Sequence, residues 1–94
     1  MASIDHKIQP HAQVVDTQLD NGEVVLLHLD SKTYFSLNIT GERIWQGVKQ
    51  GLSLREISQR LQEEFDVDAE KAESSVLELI QELADQKLVQ ILDR

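Results

Sequence analysis

Ninety-four residues at 40% hydrophobic content are enough for one modest core, near the lower limit of domains that fold without disulfides or metals. Cysteine is absent, which excludes a disulfide framework, a thiolate nucleophile and a thiolate-rich zinc site, and fits a reducing compartment. The formal charge of −8 argues against nucleic acid, whose binding draws most of its affinity from Lys and Arg displacing counterions.

Residues 1–10 lack periodicity and read as a flexible tail, leaving 11–94 as a single domain. That tail has no secretory apolar run, and no later stretch approaches the roughly 18–20 apolar residues of a membrane span. A cytoplasmic protein without a membrane partner is expected. From Gln13 to Leu29 the sequence is β-rich, with Val14 and Val15 on one side of Asp20-Asn21-Gly22 and Val24 to Leu27 on the other. Asn-Gly between two such runs signals a type I′ hairpin, because both residues accept positive φ. The second strand is apolar on both alternating sets, which suits a central position. After Asp30-Ser31, Lys32 to Leu37 alternates, with Thr33, Phe35 and Leu37 on one face and Tyr34 and Ser36 on the other. This third strand has a free ladder edge in a simple meander.

From Asn38 the period becomes helical. Ile44, Trp45 and Val48 mark a short helix that Gly51 ends. Ser53-Leu54-Arg55-Glu56 is a capping box opening a second helix, whose inward stripe is Leu54, Ile57, Leu61 and Phe65. Asp68 is the expected N-cap of a longer third helix with its stripe at Ala72, Val76, Leu79, Ile80 and Leu83. Leu88 to Leu92 is equally consistent with a short strand and with a docked tail. The expected class is α+β, a three-stranded antiparallel sheet followed by three helices, resembling a winged helix-turn-helix.

No catalytic or cofactor constellation emerges. His6, His11 and His28 share no ligand spacing and read as solvated. The acids Glu63, Glu64, Asp66, Asp68 and Glu70 lack the glycine and terminal glutamate of a calcium loop and read as a helix end followed by a cap. The four glycines form no phosphate-cradling cluster, and no Gly-x-Ser-x-Gly elbow is present. Asn38-Ile39-Thr40 matches a glycosylation acceptor, but Asn38 reads better as a helix cap. A recognition helix carrying Glu70, Glu73, Glu78, Glu82 and Asp85 against Lys71 and Lys87 repels a phosphate backbone. Neither an enzyme nor a metal protein nor a nucleic-acid binder is expected.

Two features remain. The edge of the third strand can accept an extended peptide as an added strand. On the third helix Val67, Glu70, Ser74, Leu77 and Gln81 form a stripe apart from the core, in which Leu77 is either a singly exposed leucine or part of a groove.

The segment Val25 to Leu29, then Lys32-Thr33-Tyr34-Phe35-Ser36-Leu37-Asn38, then Gly41-Glu42-Arg43-Ile44-Trp45, resembles pyrroloquinoline quinone biosynthesis protein D and its relatives, the precursor-peptide recognition elements. The resemblance continues through Leu54 to Leu61, Phe65 to Asp68, Val76 to Leu83 and Leu88-Val89, about residues 13–91 in all. It implies a non-catalytic domain that binds the leader segment of a ribosomally made precursor in a groove between the third strand and third helix, then delivers it to a processing enzyme. Carried onto this sequence, the leader-binding positions are Thr33, Tyr34, Phe35 and Ser36 on the strand and Val67, Lys71, Ser74 and Leu77 on the helix side. A proline–glutamate pair usual in the quinone branch is absent before the first helix. The chain is therefore closer to the stand-alone proteins of lasso-peptide clusters, which work with a separate leader peptidase. The competing readings are an acidic winged-helix interaction module and a homodimer that pairs the free edge with its own copy.

Overall fold

The computed structural model describes residues 7–20 and 22–92. Strand β1 (Lys7–Pro10) is followed by β2 (Val14–Gln18), β3 (Val24–His28) and β4 (Tyr34–Leu37). Helices α1 (Ile39–Lys49), α2 (Leu54–Phe65) and α3 (Ala69–Asp85) come next, and β5 (Val89–Leu92) closes the chain. Strands β2, β3 and β4 form an antiparallel sheet with β3 central, and β1 pairs antiparallel with β5 in a second, two-stranded sheet. The α+β class and the three-strand, three-helix core match expectation.

Three local readings need correction. Lys7–Pro10 are not tail but β1, paired from Lys7↔Leu92 to Pro10↔Val89 with Ile8 buried; this also resolves the C-terminal segment as a strand. The rest of the expected tail, residues 1–6, lies outside the described residues. The β2–β3 hairpin exists, but its turn is not a two-residue Asn-Gly type. The Leu19 N–H donates to Glu23 O at 2.7 Å and the Gly22 N–H to Leu19 O at 2.9 Å, with Gly22 at φ +90. The crossing is thus one residue longer, with glycine in the left-handed region after the turn; Asn21 lies outside the described residues. Finally, His28 is buried rather than solvated. Its Nδ1 accepts the N–H groups of Asp30 and Ser31 at 3.2 and 3.3 Å, and its ring lies 4.6 Å from that of His11. This imidazole organises the β3–β4 turn.

The helices begin and end where short-range chemistry dictates. Asn38 Oδ1 accepts the Gly41 N–H at 2.8 Å to cap α1, and Asp68 Oδ1 accepts the Lys71 N–H at 2.8 Å to cap α3. The capping box of α2 is complete, with the Glu56 N–H on Ser53 Oγ and the Ser53 N–H on Glu56 Oε1. Each cap satisfies an amide that the first helical turn leaves orphaned. After α1, Gly51 at φ +80 lets its own N–H reach Val48 O and the Leu52 N–H reach Gly47 O, a paired C-terminal closure that favours glycine. The same closure after α3 runs from Lys87 N–H to Ala84 O and Leu88 N–H to Leu83 O, but here a lysine occupies the left-handed position at φ 61.

The core gathers Leu26 and Leu37 from the sheet, Ile44, Trp45 and Val48 from α1, Leu54, Ile57 and Leu61 from α2, and Val76, Ile80 and Leu83 from α3. Trp45 is 1% exposed, and a buried indole N–H must find an acceptor. It donates to Asp16 Oδ2 on β2 at 2.7 Å, and Lys49 Nζ meets the same oxygen at 2.7 Å. The Lys49 hydrogen bond, followed by that of Trp45, holds the Asp16 carboxyl below its ordinary value of 3.8.

Asp16→Asn should therefore destabilise the protein at neutral pH, by about 1–2 kcal/mol for weakened hydrogen bonds to a partly exposed site. Because the folded pKa is depressed, wild-type Asp16 stabilises above the ordinary carboxylate range and loses that contribution as pH falls through the lowered value. The gap between wild type and Asp16→Asn should therefore shrink below about pH 4, read by urea denaturation; a gap independent of pH would contradict this. Lys87→Gly should raise stability by about 0.5–1 kcal/mol by relieving the left-handed lysine, measurable as a higher thermal midpoint.

Candidate functional site

Strand β4 sits at the edge of its sheet, and its pairing phase decides which backbone groups are free. The His28 N–H donates to Thr33 O at 2.8 Å, and the register continues through Leu26↔Phe35 to Val24↔Leu37. Antiparallel ladders alternate bonded and non-bonded pairs, so Phe35 and Leu37 bond to β3 while the N–H and C=O groups of Tyr34 and Ser36 point to the open edge. Among the described residues no strand pairs with that edge. Side-chain direction alternates the other way: Phe35 and Leu37 turn inward, whereas Tyr34 is 72% exposed on the outer face of the sheet.

Beside this edge lies a groove formed by β4, the start of α1 and one flank of α3. Its first part, about 270 Å³, is lined by Phe35, Ser36, Leu37, Asn38, Gly41, Leu79 and Glu82. It continues over Thr40, Ile44, Ser75 and Glu78. It then reaches a mostly apolar hollow of about 260 Å³ between Leu61, Phe65, Val67, Lys71, Ala72, Ser75 and Thr40. Shared lining residues make the three parts continuous, running from the Phe35 end of β4 toward the N-terminus of α3. The hollow at the α3 end is mostly apolar and the two parts beside β4 are mostly polar, and the charges are ordered, with Lys71 at the apolar end and Glu78 and Glu82 at the other.

A family model described as Coenzyme PQQ synthesis protein D (PqqD) matches residues 23–89. The chain belongs to this family. Two solved structures resemble it over nearly their whole length. "TbiB1 in Complex with the TbiA(beta) Leader Peptide" is 32% identical with a TM-score of 0.82, covering 92% of this chain and 99% of that one. "Lasso peptide synthetase B1 complexed with the leader peptide" is 28% identical with a TM-score of 0.81, covering 88% of this chain and 96% of that one. Within the PqqD-like recognition elements the chain thus stands with the lasso type. No curated protein sequence matches it.

In this PqqD-family chain the positions expected from sequence divide into two groups. Phe35 and Ser36 line the groove on the strand side, and Val67 and Lys71 line it on the helix side. Tyr34 offers its backbone to the edge but its ring to the opposite face, and Thr33 sits in the preceding turn, where Ser31 Oγ donates to its Oγ1 at 3.0 Å. Ser74 and Leu77 are not brought to the groove. They lie about 140° and 160° round the helix from Leu79 at 100° per residue. Leu77 is half-buried against the other margin of the core and Ser74 is exposed. On that side the groove is lined by Ser75, Glu78, Leu79 and Glu82. Leu79 was visible as a core-stripe residue; that its flank of α3 faces β4 was not.

Among the described residues no three His, Cys, Asp or Glu side chains gather as a metal site, and no helix is long and apolar enough to cross a membrane. The acids Glu63 to Glu70 are spread over the end of α2 and the cap of α3, with Asp66 at φ 54 closing α2.

Hydrogen exchange reads the edge directly. The amides of Tyr34 and Ser36 should exchange at least about tenfold faster than those of Phe35 and Leu37, which are closed by the β3 ladder; equal protection across the strand would mean that another segment covers the edge.

Proposed function

We propose that this protein is a non-catalytic binder of the leader segment of a ribosomally synthesised precursor peptide. The leader adds as a strand to the free edge of β4 and lays apolar side chains into the groove beside α3. The observation that carries this reading is the coincidence of the unpaired Tyr34 and Ser36 backbone groups with a groove that leads from β4 to an apolar hollow beside α3. Main-chain bonds to the edge supply affinity, and the groove supplies selection among side chains. The kinship with two proteins solved as leader-peptide complexes supports the same class of ligand here. Phe35, Val67, Lys71, Ser75 and Leu79 would form the contact surface, with Tyr34 and Ser36 contributing their backbone groups. Ordering a flexible leader costs conformational entropy, so one or two buried apolar anchors should dominate the affinity. The bound leader would then be presented to a processing enzyme such as a leader peptidase, in the manner the lasso-type resemblance implies.

Titration with a fluorescently labelled leader from a precursor encoded beside the gene tests this. Binding should be micromolar or tighter. Ser36→Pro removes an amide that serves only the open edge, a position where proline is compatible with a sheet. It should weaken binding about tenfold or more while leaving the circular dichroism spectrum unchanged. Leu79→Asp should do the same through the groove, and Leu77→Asp should affect stability more than binding. Wild-type affinity in Ser36→Pro would sink strand addition, and no binding by wild type would sink leader recognition altogether.

A further inference from the structure

We infer that the leader this groove accepts carries a basic side chain about four residues from its main apolar anchor, and that Glu78 and Glu82 are the residues that select it. The inference rests on the leader-binding reading and adds a chemical requirement to it.

Glu78 and Glu82 lie one turn apart on α3 and line the same part of the groove as Asn38 and Leu79. Among the described residues neither carboxylate has a hydrogen bond or ion-pair partner. Glu64, by contrast, is paired with Arg43 across α1 and α2. Like charges at this spacing repel each other along a helix, and a carboxylate in the last turn, as Glu82 is, opposes the helix dipole. The last turn of α3 contains no basic residue to offset either effect. The groove therefore holds two carboxylates without a partner among the described residues, beside the edge where a peptide would lie, and a cation on that peptide would relieve both repulsions at once.

The other end of the groove sets the spacing. The apolar hollow is lined by Phe65, Val67, Lys71 and Ala72, of which Ala72 faces it from the first turn of α3. From Ala72 to midway between Glu78 and Glu82 is about 12 Å along the helix, equal to about four residues of extended chain. An even spacing puts both side chains on one face of the added strand, so one peptide can fill the hollow and reach the carboxylates together. A leader acidic at the second position would meet like charge, and juxtaposed like charges at an interface are a strong discriminator.

The labelled leader of the precursor encoded beside the gene serves as probe, at low and at physiological salt. Glu78→Gln/Glu82→Gln keeps shape and removes charge. It should weaken binding about three- to tenfold at low salt and flatten the salt dependence. Glu78→Lys/Glu82→Lys should weaken it further, and exchanging the basic leader residue for Glu should restore binding to that variant while weakening binding to wild type. Both positions are exposed, and thermal midpoints confirm that the variants fold. Unchanged affinity and salt dependence in the Gln variant, or tight binding by a leader with no Lys or Arg in its bound segment, would overturn the charge requirement alone. Failure of wild type to bind any neighbouring leader would overturn it together with the leader-binding reading.

Discussion

The indole N–H of Trp45 on Asp16 is the contact from which the rest of the arrangement follows. A fully buried tryptophan needs an acceptor, and here that acceptor comes from β2, on the far side of the sheet from the groove. The bond fixes the axial position of α1 against the sheet, and Lys49 reinforces it one turn later on the same oxygen. Because α1 begins immediately after β4, with only Asn38 between them, locking the end of the helix also locks its beginning. Asn38, Thr40 and Gly41 at that beginning form the floor between β4 and α3. The geometry of the groove is thus held from behind, by a link that makes no contact with it.

The second constraint is the approach of α1 and α2. A Cβ on Gly47 would stand 2.6 Å from Ile57 Cγ1, so glycine alone permits this approach. Arg43 and Glu64 close the outer side of the same junction. The consequence reaches the groove through Leu61 and Phe65, which follow Ile57 on the inward stripe of α2 and wall the apolar hollow. Packing that buries the core and packing that shapes the hollow are the same contacts viewed from two sides.

Much of this was legible in sequence because it is written in short-range chemistry. The caps Asn38, Ser53 and Asp68, the glycine stop at Gly51 and the alternation of Thr33 to Leu37 each depend on residues within a few positions. The motif run through Tyr34 to Asn38 and Gly41 to Trp45 carried the family. What failed was non-local. The pairing of Lys7–Pro10 with Val89–Leu92 joins segments about eighty residues apart, and four-residue strands leave too short a period to read. That Leu79 rather than Leu77 lines the groove beside β4 was hidden for a different reason. The core stripe of α3 has a half-buried leucine on each flank, and local periodicity is blind to which flank faces β4. That depends on the handedness with which the helices return across the sheet.

The same charges that shape the groove also bear on the oldest hazard of an edge strand, its tendency to pair with its own copy. Two β4 edges meeting antiparallel about a twofold axis would bring one α3 flank toward the other, and with it Glu78 and Glu82 from each molecule. Four unpaired carboxylates would then converge at a seam whose strands are only four residues long, in a chain already at −8. The main-chain gain from so short a ladder is small, and the repulsion rises with each copy added. A foreign strand of neutral or basic character gains the same backbone bonds without that repulsion. On the leader-binding reading, the acidic flank would leave the edge open to a peptide while opposing its use by a second protomer.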